Sequence, residues 1–195
     1  MLFQVIHCHP LTDSYNHALF RAIVVTLEGS GHRVVATDLY REQFDPVMSA
    51  AERRSYYQPP YADAAVRSYI DLLREIDGVI ISFPHWWFSM PAVLKGYFDR
   101  VWAPGVAFAH DPARGRIVPR LTRMKVFGVV TTYGSPWWST RLAGDPGRKV
   151  LMRALKPMCG ARVHSFYLAH YDMDRSTPSS RHTFLERVRR RMAGL

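Results

Sequence analysis

Short apolar runs alternate along the chain with one-sided amphipathic stretches. Residues 2–8 form an almost unbroken apolar run, the pattern of a strand covered on both faces of a parallel sheet. Pro10, Thr12, Asp13 and Ser14 follow, residues suited to a loop and a helix N-cap. Over 15–28, Leu19, Phe20, Ile23, Val24 and Leu27 fall on one face of a helix, and Gly29-Ser30-Gly31 ends it. Val34 and Val35 mark a second strand over 33–37. A strand, a helix and a strand in so short a span predict a parallel pair with a right-handed crossover.

Residues 38–60 are polar, carry Pro46, Pro59 and Pro60, and predict a long loop with a short helix near 50–56. Val66, Tyr69, Ile70 and Leu73 give a second helical pattern. Asp77-Gly78 introduces the strand 79–83. A helix is predicted over 91–102, with Pro91 suited to its first position. The prolines and glycines of 103–123 predict an excursion built as a small hairpin. A fourth strand (125–132), a Gly-, Pro- and Trp-rich loop (133–147), a short helix (148–158), a fifth strand (162–168) and a closing helix (177–192) complete the reading. Five strands alternating with helices predict one three-layer α/β domain over 1–195.

Sheets of this kind bind ligands beyond the carboxyl ends of their strands. Three segments occupy such places: 9–16, 84–90 and 131–138. The first runs into a helix N-terminus, where free amides and the helix dipole favour an anion. His9, Ser14 and Asn16 add side-chain donors there, and simple capping is the competing role of Ser14. No GxGxxG or Walker pattern is present, which argues against a dinucleotide site or P-loop of the usual kind. The second segment is Pro84-His85-Trp86-Trp87-Phe88. Successive side chains diverge, so its aromatics cannot all face the core, and a flat ring could lie against those that do not. Phe88 is the one expected to pack inward. In the third segment, Thr131, Thr132 and Gly134 allow close backbone approach, while Trp137 and Trp138 suit either a ligand or a dimer mate.

Composition narrows the class. With 48% hydrophobic and 22% charged residues the chain reads as a folded globular protein, not a disordered one. No apolar run approaches the ~20 residues needed to span a bilayer. The N-terminus lacks a basic region and a cleavage site, so it reads as a strand and not a signal peptide. Cys8 and Cys159 stand far apart, with no CxxC or Cys/His zinc spacing. They read as reduced thiols in a cytoplasmic protein, and no metal site is expected. The net charge of +10 comes mostly from scattered Arg. Arg187, Arg189, Arg190 and Arg191 cluster beside Phe184, Leu185, Val188 and Met192, the pattern of a solvated helix face. Without interleaved aromatics or a recognised motif, no nucleic-acid partner is expected.

The segments HCHPLTDSYN, IISFPHWWFSMPAVLKGYFDRVW and VVTTYGS resemble the flavodoxin-like NAD(P)H:quinone oxidoreductases. That family includes quinone reductases, drug-activity modulators and ancillary proteins of potassium-efflux systems. The resemblance implies a flavodoxin-like sandwich with a five-stranded parallel sheet in the order 2-1-3-4-5, and a homodimer. It also implies a bound flavin, FMN in preference to FAD because the chain ends soon after its fifth strand. His9, Ser14, Tyr15 and Asn16 would hold the flavin phosphate and ribityl chain. Pro84, His85, Trp86, Trp87 and Phe88 would line the ring, and Thr131, Thr132, Tyr133 and Gly134 would close its other edge. The implied activity is hydride transfer from NAD(P)H through flavin to a quinone or similar acceptor. Regulatory docking on a membrane transporter is the alternative. The family's Tyr and His in the loop after the fourth strand are not matched, since Trp137 and Ala143 stand near their positions. Tyr133, His85 or a partner-chain residue are left as candidates for an acid/base role.

Overall fold

The computed structural model describes residues 1–58, 61, 64–113 and 115–195. Its strands are β1 (Leu2–His7), β2 (Arg33–Asp38), β3 (Gly78–His85), β4 (Phe108–Asp111), β5 (Arg116–Pro119), β6 (Val126–Tyr133) and β7 (His164–His170). Its α-helices are α1 (Tyr15–Gly29), α2 (Ala50–Ser55), α3 (Arg67–Glu75), α4 (Ala92–Val101), α5 (Trp137–Leu142), α6 (Pro146–Lys149) and α7 (Pro178–Ala193). A five-stranded parallel sheet has the order β2-β1-β3-β6-β7. With β4 and β5 set aside as an antiparallel hairpin, this is the order the resemblance implies.

Helices cover both faces of the sheet. On one face Leu19, Ile23, Phe184 and Val188 of α1 and α7 pack on Val5, Ile80 and Val130. On the other, Ile70, Leu73, Leu94 and Phe98 of α3 and α4 pack on Ile81, Phe83, Phe127 and Val129. Double coverage explains why β3 and β6 are buried at every position. A buried ion pair from Arg100 to Glu52, 2.7 Å, ties α4 to α2. Glu52 also closes a capping box with Ser49 at the start of α2. Cys8 and Cys159 are free and buried, and burial pushes both thiols up to about 12, away from thiolate chemistry. Among the described residues no helix is long and apolar enough to cross a membrane.

Several boundaries differ from the sequence reading. Pro84 and His85 belong to β3, not to the loop after it. Proline is tolerated because β1 pairs with β3 only as far as Ser82. The Ser82 carbonyl accepts from Cys8 N, so Pro84, two residues on, turns its nitrogen to the same side, past the end of β1. The expected loop 133–147 contains α5. The expected helix 148–158 is a composite, since α6 passes into a π-helical stretch over Val150–Leu155 and a 3-10 turn over Lys156–Cys159. Pro59 and Pro60 lie outside the described residues.

Candidate functional site

The three segments meet at the carboxyl edge of the sheet. Asn16 Nδ2 donates to Thr132 Oγ1 at 3.1 Å, and Ser82 Oγ lies 3.4 Å from Asn16 Oδ1. These contacts join the start of α1 to β3 and β6. The rings of His9 and Trp86 lie 6.1 Å apart, joining the first segment to the second. Strand register sets His85 beside Tyr133, joining the second to the third.

In the first segment, Ser14 is the N-cap of α1. Its hydroxyl accepts from His17 N and donates to Leu11 O. His9 Nδ1 lies 3.1 Å from Leu11 N and braces the same loop. With His17 N capped by Ser14, the Tyr15 and Asn16 amides that begin α1 are the donors the loop presents at the positive end of the helix dipole. The Tyr15 side chain turns the other way, its hydroxyl donating to Arg181 O of α7 at 2.7 Å. Tyr15 therefore has its backbone N–H, not its phenol, to offer an anion at the loop.

The second segment closes in a two-residue turn. Trp86 N donates to Ser89 O and Ser89 N to Trp86 O, both at 3.0 Å. Trp87 and Phe88 between them have φ of 52° and 58°. This left-handed pair is the geometry that tight hairpins normally give to Asn-Gly or Gly. Two bulky aromatics there are strained. The turn holds Trp87 out of the fold with 95% of its surface exposed. Phe88, expected in the core, is only half-buried. Gly147 N of α6 donates to Phe88 O and supports the turn from behind. A Cβ on Gly147 would come within 2.6 Å of His85 Nε2, so only glycine admits this approach.

Behind the turn lies a buried polar network. The His85 and Tyr133 rings stack 3.8 Å apart, and Tyr171 stacks on the far face of Tyr133 at 4.8 Å. Tyr133 OH donates to Asp145 Oδ1 at 2.8 Å and lies 2.5 Å from Tyr167 OH. Tyr167 OH also lies 3.4 Å from His85 Nε2. Thr131 Oγ1 donates to Phe83 O at 2.6 Å and lies 2.9 Å from His85 Nδ1. The threonine proton is thus spent on the carbonyl, which assigns the imidazole proton to Nδ1 and leaves Nε2 an acceptor. Two phenolic protons then serve three acceptors: Asp145, a phenol oxygen and His85 Nε2. The long Tyr167–His85 contact is the one left short.

Burial dominates the electrostatics. Desolvation pulls the His85 imidazole down to about 3, so it is neutral throughout the neutral range. Desolvation also raises Tyr133 and Tyr167 well above the ordinary phenol value. For Tyr133 the nearby Tyr167 and Asp145 add to it. The network can hold or pass hydrogen-bonding protons, but it resists charge on the phenols and the imidazole.

Asp145 and Tyr167 carry no local signal in the sequence. Asp145 sits in a Gly-Asp-Pro turn that reads as loop, and a φ of 47° brings its carboxylate under Tyr133. Tyr167 reads as one more strand residue. Beside them Arg141, Arg148 and Arg187 line a recess of about 200 Å³ with Tyr167 and Tyr171. Arg148 stands over the Tyr167 ring at 5.3 Å.

Known proteins resemble the chain over part or all of its length. A segment of 106 residues, 53% of this chain, is 36% identical to an uncharacterized NAD(P)H oxidoreductase, YcaK, of Escherichia coli K12, and covers 54% of it. An alignment of 122 positions, which covers 54% of the chain, is 30% identical to NAD(P)H dehydrogenase (quinone) 1 of Cavia porcellus and covers 44% of it. The matches span about half the length of these curated relatives. The crystal structure of Smu.1420 from Streptococcus mutans UA159 superposes with a TM-score of 0.84 at 26% identity, covering 100% of both chains. The family model for the flavodoxin-like fold matches residues 1–192, and the chain belongs to that family.

Proposed function

We propose that the chain is a flavin-dependent NAD(P)H oxidoreductase that reduces a quinone or a similar acceptor in two-electron steps, with FMN as the flavin. The observation that carries this reading is the Trp86–Ser89 turn. It spends backbone strain to keep Trp87 almost wholly exposed beside an anion-favouring loop, which folding alone does not explain. The donor set fits a flavin mononucleotide. The loop 9–16 supplies amides for a phosphate, with His9 and the Ser14 cap holding its shape and Asn16 at its inner end. Pro84, His85, Trp86, Trp87 and Phe88 form one wall for a planar ring, and Thr131, Thr132, Tyr133 and Gly134 form another edge. The names of the two curated relatives point to the same chemistry.

A bound flavin would supply the redox step, accepting hydride from NAD(P)H and passing two electrons to the acceptor. The chain's own part is positioning and electrostatics. Trp87 offers a flat face against which rings can be held in contact. Neutral His85 and the Tyr133 and Tyr167 phenols keep a low-polarity floor with a donor that can reorient. Tyr133 and His85 are the proposed catalytic pair, moving a hydrogen-bonded proton within the network without building charge on it. Arg141, Arg148 and Arg187 give a cationic recess suited to the pyrophosphate of NAD(P)H. The exposed Trp137, Trp138 and Leu142 of α5 suit a second copy of the chain, as a homodimer.

The test is steady-state turnover. Protein reconstituted with FMN should turn over NADH or NADPH continuously only when a quinone is present, with two-electron stoichiometry, and should sediment as a dimer. Flavin binding without nicotinamide oxidation would remove the enzymatic reading.

A further inference from the structure

We propose that His7, His17 and Asp38 form a binding site for a divalent transition-metal ion of the zinc type. Each of the three offers a ligand atom, and these atoms lie within 4.8 Å of one another. They come from three elements: His7 ends β1, Asp38 ends β2 as its register partner, and His17 lies in the first turn of α1. The sequence shows no metal-ligand spacing because the fold, not a local motif, assembles the set.

The second observation is unmet hydrogen bonding. His7 is fully buried, and among the described residues neither of its ring nitrogens lies in hydrogen-bond geometry with a partner. His17 Nδ1 is likewise buried and unpartnered. An imidazole always carries at least one donor, and a neutral one also carries an acceptor. Leaving such groups unpaired in the interior forfeits the hydration they have in the unfolded chain with nothing to replace it. An ion bound by one nitrogen of each ring would satisfy the two acceptors.

The surroundings already orient the ligands. His7 stacks on Phe20 with centroids 4.6 Å apart and planes 12° from parallel, and it meets His17 edge-on at 5.2 Å. Asp38 Oδ1 accepts from Tyr40 N and Arg41 N, each at 3.2 Å, which fixes the carboxylate as outer-sphere bonds do at metal sites. Zinc bonds of ~2.0–2.2 Å in a tetrahedron need ligand atoms roughly 3.3–3.6 Å apart. Small rotations of His17 and Asp38 would close the remaining distance. The site opens on a groove of about 920 Å³ lined by His17, Asp38, Thr12, Arg21 and Glu42, which leaves a position for water. Two imidazoles and one carboxylate suit zinc and its first-row neighbours, whereas calcium and magnesium prefer all-oxygen sets.

The ion would act as a clamp. His7 and His17 flank the loop 8–14, so coordination would fix both of its ends. The site does not depend on the flavin reading and can be tested without it.

The experiment uses the full chain, stripped with a chelator and titrated with Zn²⁺ against a chromophoric competitor. Expected is one zinc per chain at micromolar or tighter Kd, with a higher Tm in zinc. His17→Gln and Asp38→Asn should each raise the Kd at least about tenfold and lose the Tm gain, with unchanged far-ultraviolet circular dichroism. X-ray absorption of the wild-type zinc form, which needs no variant, should show two imidazoles and oxygen with no sulfur. No uptake at micromolar zinc, unchanged affinity in either variant, or sulfur in the shell would overturn the proposal.

Discussion

His85 and Tyr133 lie face to face, 3.8 Å between ring centroids and 13° from parallel, at neighbouring ends of β3 and β6. The stack fills the space behind the strained Trp86–Ser89 turn. It also brings the imidazole and phenol into one network with Tyr167, Thr131 and Asp145.

Because His85 is held neutral by burial, it makes stability depend on pH. Its folded value of about 3 lies below the ordinary 6.5, so the unfolded chain binds the extra proton first. The contribution is fully present above pH 6.5 and is lost as pH falls from there toward 3. Between pH 7 and pH 5 this amounts to about 2 kcal/mol. Urea unfolding at the two pH values should show wild type losing about that much more than His85→Gln. Equal losses would mean that the imidazole is not buried neutral.

Tyr133→Phe keeps the stacked ring and removes the hydroxyl. Asp145 Oδ1 then loses its donor in a buried place, so unfolding free energy should fall by about 1–3 kcal/mol. Denaturant unfolding measures it. A smaller loss in the double variant with Asp145→Asn than the sum of the single losses would identify the pair as coupled.

Gly147→Ala should strike the same place through packing. The added methyl meets His85 Nε2 at 2.6 Å and the Ser89 Cα at 3.1 Å. A destabilisation of about 1–3 kcal/mol is expected, together with weaker flavin retention as the turn shifts. Wild-type stability and wild-type retention together would mean that the close approach has no consequence.

At Trp87 stability and binding should separate. The side chain buries almost nothing, and its φ of 52° suits glycine better than tryptophan. Trp87→Gly should therefore leave the stability of the flavin-free protein unchanged or raise it by up to ~1 kcal/mol. The same substitution should raise the flavin Kd at least about tenfold, roughly one stacked contact. Fluorescence titration with FMN reads the second effect, and an unchanged Kd would take Trp87 out of the site.

The sheet was legible wherever both of its faces are covered. The run Val79–Phe83 announces itself because packing on α1 and α4 together demands apolar residues at all its positions but Ser82, which meets Asn16. Its last two residues did not, since Pro84 argues for a break and only the early end of β1 makes it tolerable. The helix α5 was hidden by its six residues, too few for a period to show. Within the site, the convergence of 9–16, 84–90 and 131–138 follows from topology, which alternation of elements reveals. The network did not, because Asp145 and Tyr167 reach Tyr133 from different elements, and no spacing in the chain encodes that meeting.

The most direct measurement is an anaerobic titration of the FMN-loaded protein followed by its visible spectrum. NADH or NADPH should bleach the flavin band, and one equivalent of quinone should restore it. A chain that takes up neither FMN nor FAD, or a bound flavin that reduced nicotinamide leaves oxidised, would contradict the proposed function.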